Sequence, residues 1–121
     1  MEDALIAVLE TLKYPVIRQG SLAPDDAYPP TFITFWCNAE DEMSAYDNDT
    51  ALTTNDFSVY VYSNDPTTCY ATLAAARAAL KAAGWVITTR AYDAASDEIT
   101  HIGRGFDVTY ILTLTEESEN V

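Results

Sequence analysis

The chain has 121 residues, with 19 acidic and six basic side chains and a formal net charge of −13 at pH 7. Because Lys and Arg neutralise phosphates in nucleic-acid and membrane complexes, this charge balance argues against tight DNA binding and against docking on an anionic membrane. No apolar run approaches the roughly 20 residues of a membrane span, and the N-terminus lacks the basic start of a secretory signal. A chain of this length is expected to form one domain, over residues 1–121. Because no signal or span is predicted, we expect the protein to stay, at least at first, in the cytoplasm of the cell that makes it.

The first predicted elements are a helix over residues 2–12 and a short strand over residues 15–18. Apolar side chains at helical spacing indicate the helix, and Pro15 ends it. A loop rich in Pro and Asp follows to residue 30. Aromatic and β-branched residues then predict a strand over residues 31–37, apolar on both faces and therefore central in a sheet.

A long acidic loop is predicted over residues 38–54. With about 17 residues it exceeds the usual hairpin connection, and loops of this length are commonly functional or disordered. Because apolar residues lie among its acids, ordering against a partner and plain flexibility both stay open. The candidate assembly residues in this loop are Glu40, Asp41, Glu42, Met43, Tyr46, Asp47 and Asp49.

A strand over residues 55–63 leads directly into a helix over residues 67–83. Alternating apolar residues indicate the strand, and Asp65 with Pro66 marks the helix start, where the Asp65 carboxylate is predicted to cap. Gly84 is suited to the position after the helix C-terminus. The outer face of this helix carries small residues where a solvated helix usually carries charges, which indicates an interface unless the helix propensity of alanine explains them. The candidate interface residues here are Ala71, Ala75, Ala78, Arg77 and Lys81.

The last part of the chain predicts further strands. Residues 85–90 and 98–102 are expected to form short strands with a turn between them, and residues 106–115 alternate most clearly. Residues 116–121 are expected to be a flexible tail. The predicted fold is α+β: a mostly antiparallel sheet of four to five strands with two helices packed on it, on one face.

No catalytic, cofactor-binding or metal site is predicted. Cys37 and His101 could be imagined as a nucleophile and its base, but sequence spacing shows neither contact nor an orienting third group. Residues 47–50 (DNDT) are similar to the start of a calcium loop. Leu52 stands where that loop needs glycine and Ser58 where it needs glutamate, so the motif fails.

The order of elements and several short segments resemble the tail terminator, or tail-completion, proteins of long-tailed bacteriophages and prophages, the lambda-type minor tail protein among them. The resemblance covers residues 1–115. It lies in residues 14–17 (YPVI), 29–35 (PPTFITF), 56–63 (DFSVYVYS), 78–85 (AALKAAGW), 99–102 (ITHI) and 104–108 (RGFDV).

The resemblance implies a structural virion protein without enzymatic activity or cofactors. It implies a homo-oligomeric ring, commonly of six subunits, that caps the tail tube, ends tail growth and presents a surface for head joining. The implied partners are the tail tube protein and a head-side neck protein, with assembly in the host cytoplasm followed by incorporation into the virion tail. Another head–tail connector protein, a small ferredoxin-like binding module and an enzyme built on Cys37 and His101 stay open as alternatives.

Overall fold

The computed structural model describes residues 2–18, 29–44, 50–96 and 100–115. They form two helices and a six-stranded, mostly antiparallel sheet, which confirms the predicted α+β class with one strand more than expected. The elements are α1 (Glu2–Glu10), β1 (Val16–Arg18), β2 (Thr31–Ser44), β3 (Thr50–Ser63), α2 (Pro66–Ala82), β4 (Val86–Ile87), β5 (Tyr92–Ala94) and β6 (Ile102–Thr115).

The sheet has the strand order β1-β2-β3-β6-β4, and β5 also pairs with β6. Only the β1–β2 pair among these described strands is parallel. The strands β4 and β5 share one edge of β6, where Val86 lies opposite Thr109 and Tyr92 lies opposite Gly105. On the other edge, β1 pairs with β2 from Ile33 to Phe35 and no further.

The prediction of a long acidic loop over residues 38–54 is wrong for most of that segment. Residues 38–44 belong to β2 and residues 50–54 belong to β3, which makes one long antiparallel hairpin. The strand β3 also pairs with β6 throughout, so backbone hydrogen bonds on both sides order a segment whose polar composition indicates a loop. Residues 45–49, which connect the two strands, lie outside the described residues.

The hydrophobic core lies between the sheet and the two helices, which both pack on the same face. On β3 the alternate residues Phe57, Val59 and Val61 are buried against α2, as the period-2 pattern predicts. The fully or nearly fully buried core residues are Leu5, Leu9, Ile33, Phe35, Phe57, Val59, Val61, Cys69, Leu73, Ala76, Leu80, Trp85, Phe106 and Val108. The strands β2 and β3 have 14 residues each and span about 46 Å, whereas the 17-residue α2 spans about 26 Å, so the hairpin is longer than the helix that packs on it.

The ends of α2 were predicted partly correctly. Gly84 has a φ of 97°, and the N–H groups of Gly84 and Trp85 donate to the carbonyls of Lys81 and Leu80, which closes the helix. At the other end Asp65 makes no side-chain cap. Its carboxylate instead accepts a hydrogen bond from the Thr68 hydroxyl at 2.7 Å, so the backbone N–H groups of the first turn are not its partners.

Three other predicted elements differ in length or kind. The helix α1 ends at Glu10, two residues early, because Thr11, Leu12 and Lys13 donate to carbonyls three residues back, and Lys13 takes a positive φ of 68°. The strand predicted over residues 85–90 is only two residues long. The turn predicted over residues 91–97 contains β5. Of the short strand predicted over residues 98–102, residues 98–99 lie outside the described residues.

Candidate assembly surfaces

The face of the sheet opposite the helices carries an aromatic row. Tyr62 stacks on Phe32 with ring centroids 5.3 Å apart, and Tyr60 lies 6.3 Å from both Tyr62 and Tyr92. These side chains share this face because Tyr60 and Tyr62 alternate with the core residues of β3. Neither helix lies on this face, so we call it the open face.

Glycines on β6 make room for two of these rings. Tyr62 lies directly opposite Gly103, and Tyr60 lies directly opposite Gly105. A Cβ atom added at Gly103 would lie 2.6 Å from Tyr62 Cε1, and one at Gly105 would lie 2.5 Å from Tyr60 Cδ1. Both rings therefore lie flat over the β6 backbone, which aromatic residues can do opposite a glycine and not opposite a side chain.

A hydrogen-bond chain links four strands, β2, β3, β6 and β5, beside the aromatic row. The Asn38 amide donates to Ser58 Oγ at 2.8 Å, and the Ser58 hydroxyl donates to Asp107 Oδ1 at 2.8 Å. The Tyr92 hydroxyl donates to the same Asp107 oxygen at 2.6 Å. The Asp107 carboxylate thus fixes β5 and the aromatic row onto the centre of the sheet.

Burial and the hydrogen bond to the Asp107 carboxylate raise the pKa of Tyr92 above its ordinary value. Above about pH 10 the unfolded chain therefore releases a proton that the folded chain keeps, so stability is expected to fall as pH rises. Replacing Tyr92 with phenylalanine should cost about 1.5 kcal/mol at neutral pH and should reduce that fall. Urea unfolding from about pH 8 to 11 measures both effects. An equally steep fall in the variant would contradict this role of Tyr92.

Large apolar side chains are exposed on both sides of the sheet. On the open face Trp36 is 50% exposed and Ile111 is 51% exposed. Val86 of β4 is opposite Thr109 and therefore also on the open face, where it is 49% exposed, whereas Tyr70 of α2 on the helix side is 54% exposed. Single exposed apolar residues are common on protein surfaces, and they mark a contact surface where they belong to a contiguous patch.

A groove with positive charge lies between α2 and β4, and we call it the basic groove. Arg77 and Lys81 of α2 line one side, Arg90 lies beyond β4, and the groove has a volume of about 730 Å³. The described residues that line it include no acidic side chain. Arg77 lies over the Phe106 ring at 5.9 Å, and its Nε is buried without an acceptor in the described part of the protein.

Two of the other basic residues already have acidic partners. The Arg104 guanidinium donates to Asp93 at 2.6 Å, and Arg18 pairs with Glu2. No ion pair is found for Arg77, Lys81 or Arg90 within the described ranges. Half of the six basic residues of a strongly acidic chain therefore lie together in one groove.

The predicted interface residues separate into two groups. The α2 group is at the surface as expected: Ala71, Ala75, Ala78 and Lys81 are exposed and Arg77 is half-buried. Glu40, Asp41, Glu42 and Met43 are strand residues of β2, where they pair with β3, and not loop residues. Tyr46, Asp47 and Asp49 lie outside the described residues. The structure does not bring the two groups together within one chain.

Sequence reasoning missed Arg90 and the aromatic row. Arg90 belongs to the strand predicted over residues 85–90. Nothing in the sequence pattern indicates that this strand lies beside α2, and so beside Arg77 and Lys81. The Tyr–Gly pairs could have been found from Tyr60, Tyr62, Gly103 and Gly105, which have equal two-residue spacing on strands that pair antiparallel.

Cys37 and His101 do not form a catalytic pair. Cys37 is opposite Phe57 in the sheet, whereas His101 directly precedes Ile102, which is opposite Ser63. Six strand residues separate these positions, or about 20 Å. His101 Nε2 instead lies 2.8 Å from the Pro29 carbonyl oxygen. Neither Cys37 nor Cys69 forms a disulfide.

The described residues contain neither a metal-binding cluster nor a membrane-spanning helix. No group of three or more His, Cys, Asp or Glu side chains in that part of the chain could hold a metal ion. None of its helices has the length and apolar character that a membrane crossing needs.

No protein-family model matches the sequence, and no curated protein matches it. Among solved structures, the chain is similar to one described as "Virion of native gene transfer agent (GTA) particle". That similarity has 20% sequence identity and a TM-score of 0.46, and it covers 85% of this chain and 82% of the other. At these values it does not establish a shared function.

Proposed function

We propose that this chain is a structural protein of a phage-type virion, and specifically that it forms a ring that caps the tail tube. The ring would end tail growth and offer a surface to the head-side neck protein. Assembly would take place in the host cytoplasm before the ring becomes part of the virion tail.

The observation that carries this proposal is a hairpin longer than the helix that packs on it. Its strands β2 and β3 each have 14 residues and span about 46 Å, whereas the 17 residues of α2 span about 26 Å. A stretch of sheet that α2 is too short to cover gains stability when another subunit packs on it. The sequence resemblance to tail terminators supports the same role, since the order of helices and long strands agrees with it.

Exposed apolar side chains give a second support. Trp36 and Val86 are each about half exposed on a chain of 13.3 kDa, and they belong to β2 and β4, which lie toward opposite edges of the sheet. A ring subunit needs two different surfaces, one for each neighbour, because contacts around a ring are head to tail.

The net charge of −13 also suits a ring through which DNA passes. Carboxylates along the bore would repel phosphates at short range, within about 8 Å at physiological salt. The same charge opposes self-association at low salt, so ring formation is expected to need salt, a divalent ion or the tail tube itself.

The test is the mass of the protein in solution by light scattering, over a range of protein concentrations, at low and moderate salt and with magnesium. Six subunits of 13.3 kDa would give a discrete species of about 80 kDa, which electron microscopy should show as a ring with a bore. A stable dimer under all conditions would count against the proposal. A monomer throughout would leave assembly on a purified tail tube as the deciding experiment.

A second candidate is a small ligand-binding module, favoured by a groove on the open face. Trp36, Asn38, Tyr60 and Tyr62 line it, and its volume is about 460 Å³. Aromatic walls with a few polar groups are typical of small-molecule sites. This candidate predicts a monomer that does not assemble on a tail tube, so the same measurements separate it from the ring.

A further inference from the structure

We propose that the basic groove binds the acidic end of the β2–β3 hairpin, defined by Glu40, Asp41 and Glu42, of a second copy of this chain. This inference rests on the ring proposed above and names the contact that would join its neighbouring subunits.

Charge is the first argument. Arg77, Lys81 and Arg90 lie in one groove, and the described residues provide them with no carboxylate partner. The hairpin supplies three consecutive carboxylates on β2. Arg pairs with carboxylates through strong charge-assisted hydrogen bonds, and complementary charges of this kind select and orient partners. Because each chain has a net charge of −13, a second copy provides acidic surface that can pair with the cations of the groove.

The floor of the groove is the second argument. Trp85, Val86 and Ile87 line it, and Ile87 lies on the helix face of β4 because it is opposite the core residue Val108. An apolar floor with a charged rim is the usual composition of a protein interface. It would cover apolar atoms of the incoming strand while the cations meet its carboxylates.

The sheet geometry is the third argument. The strands β3 and β6 lie between β2 and β4, so β2 and β4 are three strand spacings apart, or about 14 Å. Residues 39–44 pair with β3, so the acidic end cannot bend back to the groove of its own chain. A contact between the groove and the acidic end would therefore join two chains. Such a contact is head to tail, the type that closes into a ring or continues as a filament.

Cross-linking by carbodiimide tests the contact directly, because this reagent joins a lysine to a touching carboxylate without a spacer. The chain has two lysines, Lys81 in the groove and Lys13 after α1, and the second serves as an internal control. The sample is an equal mixture of ¹⁴N- and ¹⁵N-labelled protein in its assembled state, or on the tail tube if it assembles only there. The expected product links Lys81 to Glu40, Asp41 or Glu42, and mixed light–heavy pairs should appear beside the light–light and heavy–heavy ones.

Several products would overturn the inference. A Lys81 link to the acidic tail of the same chain would identify residues 116–121 as the occupant. Equal linking of Lys13 and Lys81 to the hairpin would show that the contact is not specific. The absence of any link between Lys81 and the hairpin in an assembled sample would also reject it.

Charge exchange provides the second test. Lys81→Glu with Arg90→Glu changes two groove residues and leaves Arg77 in place over Phe106. Asp41→Lys with Glu42→Lys changes the acidic end. Each double variant alone is expected to weaken association about 100-fold, because like charges then face each other. An equal mixture of the two variants should recover assembly, since each then offers the surface that the other needs, and rings should alternate the two chains.

Comparison of the variants with the unaltered protein distinguishes failure of the groove contact from failure of the proposed ring. If the unaltered protein forms rings and either double variant forms them equally well, the groove contact is wrong while the ring stands. If the unaltered protein forms no ring, even on a tail tube, the proposed function itself fails and this inference fails with it. Binding of a short DNA duplex that is lost in the groove variant would instead assign the cations to phosphate.

Discussion

Replacing Phe57 with alanine is expected to lower the free energy of unfolding by about 4 kcal/mol. Phe57 is 1% exposed, lies on the helix face of β3 and meets Trp85 edge-on at 5.9 Å. Because protein interiors are closely packed, the surrounding side chains would fill the space only partly and leave a cavity. Chemical denaturation followed by circular dichroism at low protein concentration measures the loss.

Trp36→Ala is the matched control, since Trp36 is opposite Ser58, the residue that follows Phe57 on β3. It lies on the open face and is 50% exposed, so its removal should cost less than about 1.5 kcal/mol although tryptophan is the larger side chain. Similar losses for the two variants would mean that the open face of the isolated subunit is as tightly packed as the helix face. If the proposed ring covers the open face, Trp36→Ala should weaken association more than it weakens folding.

Replacing Gly103 with alanine is expected to cost about 3 kcal/mol. The added methyl group would lie 2.6 Å from Tyr62 Cε1 and 2.8 Å from the carbonyl oxygen of Ala94. The tyrosine ring could turn aside, but the carbonyl belongs to the backbone of β5, so the edge of the sheet must also move. The unfolding free energy again measures the effect, and the loss of β5 pairing should appear as faster amide hydrogen exchange at Tyr92 and Ala94.

Gly84→Ala separates crowding from backbone strain. Gly84 has a φ of 97° and its added methyl group would have open space, with Tyr110 at an ordinary 3.9 Å. The expected cost is therefore only the strain of an alanine in that conformation, about 1 kcal/mol. If Gly103→Ala costs no more than Gly84→Ala, the close approach of Tyr62 to β6 is not important for stability.

Local patterns predicted the parts of the fold that depend on neighbouring residues. The alternation in residues 57–61 identified the core face of β3, and the Asp65-Pro66 and Gly84 signals placed both ends of α2 within one residue. These signals act through backbone conformation and side-chain period, which the local sequence contains.

Long-range pairing explains the errors. Residues 38–44 are acidic and polar, and their strand conformation depends on pairing with β3, which β6 supports from the other side. The three residues of β5 likewise form a strand because they meet Gly103 and Gly105 on β6. Strand preference depends on such partners more than on composition, so a single sequence does not reveal it.

The sequence predicted one part of the candidate surfaces and missed another. The exposed alanines with Arg77 and Lys81 followed from the helical wheel of α2. Arg90 joins them only because β4 pairs with the edge of β6 beside that helix, which is a fact of topology.

The short contact between β1 and β2 also has a consequence for solubility. From Trp36 to Ser44, the outer edge of β2 has no partner among the described strands. An unpaired edge of this length can form hydrogen bonds with a strand of another chain, which leads to aggregation. Charged side chains on the edge are one way in which natural proteins prevent it. Glu40, Asp41 and Glu42 occupy that edge, so neutral substitutions there would remove a safeguard against precipitation. Lysine substitutions keep charge on the edge, and a lysine-bearing chain should therefore stay soluble under conditions in which an alanine-bearing chain precipitates.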